Sequence, residues 1–196
     1  MGVAPSHRRQ THSNLAGLHD VELAAFAAAG GRGEFGELVR RHGSAVRALL
    51  RRMGADGSLA DDIAQDAFLQ AYERIAEFRG EGTFVSWVRR IAARLYLKRR
   101  RKDAQLVLEA DPREPDAPAT ADQAGRIDLD EALKILSPAE RMCVSLCYGA
   151  GLSHSEVSLA LNTPLGTVKS HVRRGLDKLR ERMAAQGSQV EGLAHG

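Results

Sequence analysis

The chain reads as an all-α protein built from two small helical domains joined by a flexible acidic linker. Three features predict this. Apolar residues recur at three- and four-residue spacing in both halves, with no alternating Val/Ile/Thr run of the kind that strands show. Pro112, Pro115 and Pro118 interrupt the middle, where each forbids helix continuation and biases its predecessor toward extended backbone. Charge is also divided: residues 1–102 carry 18 Lys/Arg against 11 Asp/Glu, residues 103–127 carry 2 against 6, and residues 128–196 carry 8 against 8. The 196 residues therefore divide into an N-terminal module at 19–102, a linker at 103–126 and a C-terminal module at 127–183.

The ends, residues 1–18 and 184–196, are small and polar and are expected to be disordered. No apolar run is long enough to span a bilayer and the start lacks a secretory core, so a cytoplasmic protein with no membrane insertion is expected. Cys143 and Cys147 suit a reducing compartment. One turn apart and without a second Cys/His pair, they read as small core residues, so neither a metal nor a cofactor is expected.

After an apolar-periodic stretch at "FGELVRRHGSAVRALLRRM", the segment "SLADDIAQDAFLQAYERIAEF" predicts a helix capped by Ser58 with Asp61 three positions on. Ile63, Ala67, Ala71, Ile75 and Phe78 define its core stripe, widened by Phe68 and Tyr72, while Asp62, Asp66 and Glu73 form an acidic outer face. Beyond the Gly-rich "FRGEGT", Phe84, Val88, Ile91 and Leu95 are the buried stripe of a helix reaching about Arg101. Trp87, Arg90, Arg94 and Lys98 lie on one flank of it, Arg89 and Tyr96 on the other. Residues 89–102 hold eight basic side chains and no acidic one, a density that attracts phosphate backbones; an anionic membrane surface is the competing partner. Rings interleaved with guanidinium groups stack unpaired bases at about 1–3 kcal/mol each, although Trp87 and Tyr96 at such spacing also suit a core.

In the C-terminal half, Ser137, Pro138 and Glu140 mark a helix start, and Gly149 and Gly151 its end. "SHSEVSLALN" predicts a short helix, "TP" a turn, and "LGTVKSHVRRGLDKLRERM" a longer helix. At about 100° per residue, Val168, Val172, Leu176 and Leu179 share an inner face, with Ser170, Arg173, Arg174 and Asp177 opposite and Lys169 and His171 on the flanks. A helix-turn-helix of this kind places its second helix in the DNA major groove. Gly175 within that helix costs about 1 kcal/mol relative to Ala, which either a close backbone approach or drift at a surface-adjacent site would explain.

The two halves together resemble the extracytoplasmic-function sigma factors of bacterial RNA polymerase, over about residues 20–183. The resemblance rests on "DDIAQDAFLQAYERIAEFRGEGTFVSWVRRIA" and on "LSPAERMCVSLCYGAGLSHSEVSLALNTPLGTVKSHVRRGLDKLRE". It implies a transcription initiation factor rather than an enzyme. Its partners would be core RNA polymerase, through the clamp helices of the largest subunit and the flap, promoter DNA, and an anti-sigma factor in a stress or envelope response. By position, Asp61, Asp62, Gln65, Asp66, Phe68, Leu69 and Tyr72 would bind core polymerase. Phe84, Ser86, Trp87, Arg89, Arg90, Arg94 and Lys98 would bind and open the −10 element. Thr167, Lys169, Ser170, His171, Arg173 and Arg174 would read the −35 element. Arg94 departs from the family pattern, in which Asn is common. Two rivals use less of the chain: a helix-turn-helix regulator without polymerase docking, and a sigma-mimic interaction protein. The residues form no local catalytic signature and no phosphate-cradling Gly loop.

Overall fold

A computed structural model describes residues 15–107 and 129–193, with side chains for 15–103 and 129–184. Eight α-helices, a 3-10 turn and a π turn make up the described fold, and no strand occurs among these residues. The N-terminal module contains α1 (Asp20–Ala28), α2 (Arg32–Arg52), α3 (Gly57–Glu73), the 3-10 turn Ile75–Glu77 and α4 (Phe84–Val107). The C-terminal module contains α5 (Leu129–Leu133), α6 (Pro138–Val144) running into the π turn Ser145–Gly149, then α7 (His154–Leu161) and α8 (Leu165–Leu193).

Three of the helices begin at a residue whose side chain satisfies a free N–H group. Asp56 caps α3, its carboxylate accepting from Leu59 N at 2.8 Å, so the cap lies two residues before the expected Ser58. A carboxylate there satisfies an orphan donor and also meets the positive end of the helix dipole. Ser137 caps α6 as its spacing predicts, and Ser153 caps α7 in the same way, each with Glu at the third helical position reaching back. Asn162, at φ 49°, ends α7 in the left-handed conformation, and Thr163–Pro164 turn the chain into α8.

Three boundaries differ from expectation. Residues 15–18, expected to be disordered, are tied down: the Arg41 guanidinium donates to the carbonyls of Leu15 and Ala16, each at 2.9 Å, and of Leu18 at 2.8 Å. The same Arg41 meets Asp20 and Glu37, and the paired Arg40 and Arg41 hold the Glu37 carboxyl down at about 2. At the other end α8 continues as helix to Leu193, well into the segment expected to lack structure. Propagating an existing helix adds one hydrogen bond per residue fixed, which is far easier than nucleating one. The linker's first residues, 103–107, belong to α4; the rest of it lies outside the described residues.

The modules do not sit apart. One apolar cluster runs from Leu38, Leu49, Leu50, Ala67 and Val88 into Cys143, Leu146, Ala150, Leu152, Val157 and Val168. A satellite of Leu133, Leu136 and Val144, with Leu179 against it, lies under α8. Burial on that scale follows from the helix stripes: each apolar face needs a partner, and here part of the partner surface comes from the other module.

Candidate functional site

Three surfaces carry the candidate residues. The first is a groove of about 850 Å³ between α2 and α3, walled by Phe35 and Val39 from one helix and Phe68, Leu69 and Tyr72 from the other. Phe68 is buried and supports the floor, Tyr72 packs on Phe35 with ring centroids 4.9 Å apart, and Leu69 stands 56% exposed at the rim. Gln65 and Asp61 continue the α3 wall, with Asp61 3.5 Å from Arg47 on α2. Asp62 and Asp66 are exposed but do not line the groove. The α2 wall, with Arg32, Phe35, Val39 and Arg47, escaped the sequence reading. Its signal was the apolar period of "FGELVRRHGSAVRALL", which marks a helix without saying which neighbour it meets.

The second surface is the exposed side of α4. Trp87 is half-buried, 5.6 Å from the Phe78 ring and 5.9 Å from Phe84. Phe84 itself is 1% exposed, wedged among Phe35, Phe78 and His42, so as placed it underpins Trp87 and has no face for a base. Phe84, expected to contact the −10 element, is thus buried in this arrangement. Tyr96 also belongs to the core, its hydroxyl donating to Met53 O at 3.0 Å. Arg89 is half-buried with its Nε lacking a partner; burial, with Arg52 nearby, pushes its guanidinium below the usual arginine range. Ser86 Oγ lies 2.7 Å from Thr83 Oγ1 at the helix start, and Lys98 is exposed. Arg90 and Arg94 point across to the C-terminal module. Arg90 donates from two nitrogens to Gly151 O, at 3.2 and 2.7 Å, and Arg94 meets Glu156 at 3.2 Å.

The third surface is the outer face of α8. Val168 and Val172 are buried, Leu176 and Leu179 half-buried, and Thr167, Lys169, Ser170 and Arg173 exposed, as helical phase requires. His171 is half-buried and its Nδ1 lies 3.1 Å from the Arg174 guanidinium. Beneath them sits Glu140, only 4% exposed, whose carboxylate meets Lys178 Nζ at 2.8 Å and Arg174 Nε at 3.7 Å while accepting from Ser137 N. The Lys178 hydrogen bond, with help from Ser137, holds that carboxyl below its usual range. This brace was not foreseen, because α6 and α8 meet only in the fold. Gly175 accounts for the contact: a β-carbon there would lie 2.9 Å from Val144 Cγ2 and 3.6 Å from Glu140 Cβ. Cys143 is buried and Cys147 half-buried; burial raises both thiols, Cys147 to about 11.

Two helical modules in this order match known families. Residues 38–105 match Sigma-70 region 2, and residues 132–181 match Sigma-70, region 4. The ECF RNA polymerase sigma factor SigM of Mycobacterium tuberculosis is 33% identical over 161 residues, which are 82% of this chain and 82% of that protein. This chain belongs to the extracytoplasmic-function sigma factors. As a sigma factor it is a transcription initiation factor and not an enzyme. SigE of Mycolicibacterium smegmatis is also 33% identical, over 79% of this chain, though the match spans only 63% of that longer relative. Among solved structures, the sigma factor RpoE bound to the anti-sigma factor NepR, from Bartonella quintana, shares the fold of this sigma factor. Its TM-score is 0.56 at 24% identity, covering 77% of this chain and 97% of that one. No helix of the described residues is long and apolar enough to cross a membrane.

Proposed function

We propose that this sigma factor directs core RNA polymerase to promoters with three separate grips. The α2–α3 groove docks on the polymerase clamp, the outer side of α4 captures the unpaired −10 strand, and the outer face of α8 reads the −35 duplex. One observation carries the reading: five of the seven residues assigned to polymerase binding from the sequence, Asp61, Gln65, Phe68, Leu69 and Tyr72, line a single groove. An apolar groove with a few polar groups on its walls is the form a helix-in-groove contact takes. Asp62 and Asp66 would then meet cations on the polymerase outside the groove. In this reading residues 19–107 form the docking and −10 unit and residues 129–183 the −35 unit, working in the cytoplasm.

The strand-opening step follows from small energies. Duplex stacking is about 1.4 kcal/mol per step, so separating a few pairs requires only several kcal/mol. A base captured on the half-buried Trp87, with phosphates held by Arg90, Arg94 and Lys98, offsets that without nucleotide hydrolysis. On α8, Lys169 and Arg173 suit guanine edges or phosphates, and Ser170 suits several partners. An anti-sigma factor is the expected antagonist; the structural relative was solved with one bound. Run-off transcription from a genomic promoter pool tests the whole reading. Added to core polymerase, the protein should give discrete starts that share an upstream and a downstream element. Starts no different from those of core polymerase alone would refute it.

A further inference from the structure

We propose that Phe35, on the wall of the docking groove, is also a positioning residue for the −10 grip, fixing the angle at which Trp87 meets an unpaired base. This rests on the assignment of Trp87 to base capture made above. Trp87 is the chain's one tryptophan and is half-buried, its ring centroid 5.6 Å from Phe78 and 5.9 Å from Phe84, tilted by 39° and 51°. Those two rings hold its inner side, so the plane left for a base is set by where they stand. Phe84 lies deepest. At 1% exposure its ring meets four others: Trp87, Phe78 edge-on at 5.5 Å, Phe35 edge-on at 6.4 Å and the His42 imidazole at 5.8 Å. Edge-to-face contact is a favoured geometry for aromatic pairs, and in a close-packed interior a ring moves only when a neighbour yields.

The neighbours of Phe84 are not equally fixed. His42 is anchored, its Nε2 2.6 Å from an Asp20 carboxylate that also accepts from Arg41 at 3.1 Å. Phe35 stands differently. One side of it meets Phe84, while the other lines the groove of about 850 Å³ and packs on Tyr72 at 4.9 Å. Among the described residues it is the one ring in contact both with Tyr72 on the α3 wall and with the Phe84 ring beneath Trp87. With Phe35 shortened to an aliphatic side chain, Phe84 has open groove to settle toward, and Trp87 loses the ring under its inner side. A tryptophan free to rock must be ordered by the base it binds, and the cost of that ordering is subtracted from affinity. Phe35 therefore acts on the strand only through Phe84 and Trp87.

The test uses the full chain and reads Trp87 directly, because no other tryptophan emits. Phe35→Leu removes the ring and keeps the site apolar, and Phe35→Tyr keeps the ring. Leu50→Val, in the same core but outside the ring stack, controls for lost stability. In the free chain, Phe35→Leu should shift Trp87 emission to the red and raise its quenching by iodide, while Phe35→Tyr and Leu50→Val match the wild type. In a second arm, core polymerase saturated with each protein, as set by titration, opens a promoter carrying 2-aminopurine in its −10 element. Phe35→Leu should open it about fivefold less even at saturation, the loss of one stacked base at the low end of its range, with Phe35→Tyr and Leu50→Val at the wild-type level. An unshifted Trp87 in Phe35→Leu, the same shift in Leu50→Val, no recovery with Phe35→Tyr, or an opening defect that saturation abolishes would each overturn the proposal. Failure of the wild type to open any promoter would instead refute the sigma reading, and the emission arm would still judge what Phe35 does to Trp87.

Discussion

The faces of α4 and α8 carry similar chemistry in different states. Both are basic surfaces on helices whose inner stripes are buried, and both were recognised from the same pattern of apolar spacing and Lys/Arg clustering. On α8, Lys169, Ser170 and Arg173 face outward, and Arg174 is steadied from below by Glu140. On α4, the two central arginines are held by Gly151 and Glu156 of the other module. Density of positive charge therefore measures attraction for a polyanion but not availability to it. Availability depends on which acceptors the fold has already brought within reach.

The largest effect should come from removing the open face. With Lys169, Arg173 and Arg174 all changed to Ala, −35 duplex affinity should fall by about 100-fold or more, since one good bidentate base contact alone is worth about 1–3 kcal/mol. Affinity for core polymerase should barely change in the same protein, as measured by co-elution. Equal loss of both would erase the distinction between the surfaces. Next, Gly175→Val should destabilise the C-terminal module by about 2 kcal/mol through overlap with Val144, read as a lower denaturation midpoint. Unchanged stability would show that α6 and α8 do not meet as closely as the brace requires.

Smaller effects sharpen the comparison further. Glu140→Gln should cost about 1 kcal/mol in stability, because its partners Lys178 and Arg174 are half-exposed and screened by water. It should also weaken duplex binding a few-fold by freeing Arg174. In an Arg174→Ala background that loss of binding should disappear; if it persists, Glu140 acts on the fold alone. The smallest effect concerns pH. Glu140 and Glu156 both titrate below the ordinary carboxylate range, Glu140 chiefly through Lys178 and Glu156 chiefly through the Ser153 cap with Arg94 adding to it. A depressed folded-state pKa gives stability that is complete above the unfolded value and is lost as pH falls through the folded one. Moving from pH 7 to pH 5.5 should therefore leave both the brace and the Arg94–Glu156 pair in place, read as an unchanged denaturation midpoint. A lower midpoint in that window would mean that another group titrates there.

Much of this was legible locally. The buried stripe of α8 and the Ser137 cap follow from residues within a turn or two of each other, where periodicity and capping speak directly. What escaped depends on distant parts of the chain. Phe84 looks like a base-stacking ring until Phe35 and His42 close over it, and Arg41 fixes residues 15–18 from more than twenty positions away. The α2 wall of the docking groove and the Arg90–Gly151 seam likewise arise only when helices meet. Helical phase names an apolar face but not the element that covers it.

The most direct measurement is a titration of the wild-type chain with single-stranded DNA and with −35 duplex, each with and without core polymerase. Strand affinity should rise in the polymerase complex while duplex affinity changes little, because Arg90 and Arg94 are engaged by Gly151 O and Glu156 in this structure whereas Lys169, Ser170 and Arg173 face outward. Equal strand affinity in the free and polymerase-bound states would contradict the claim that the two grips start from unequal states.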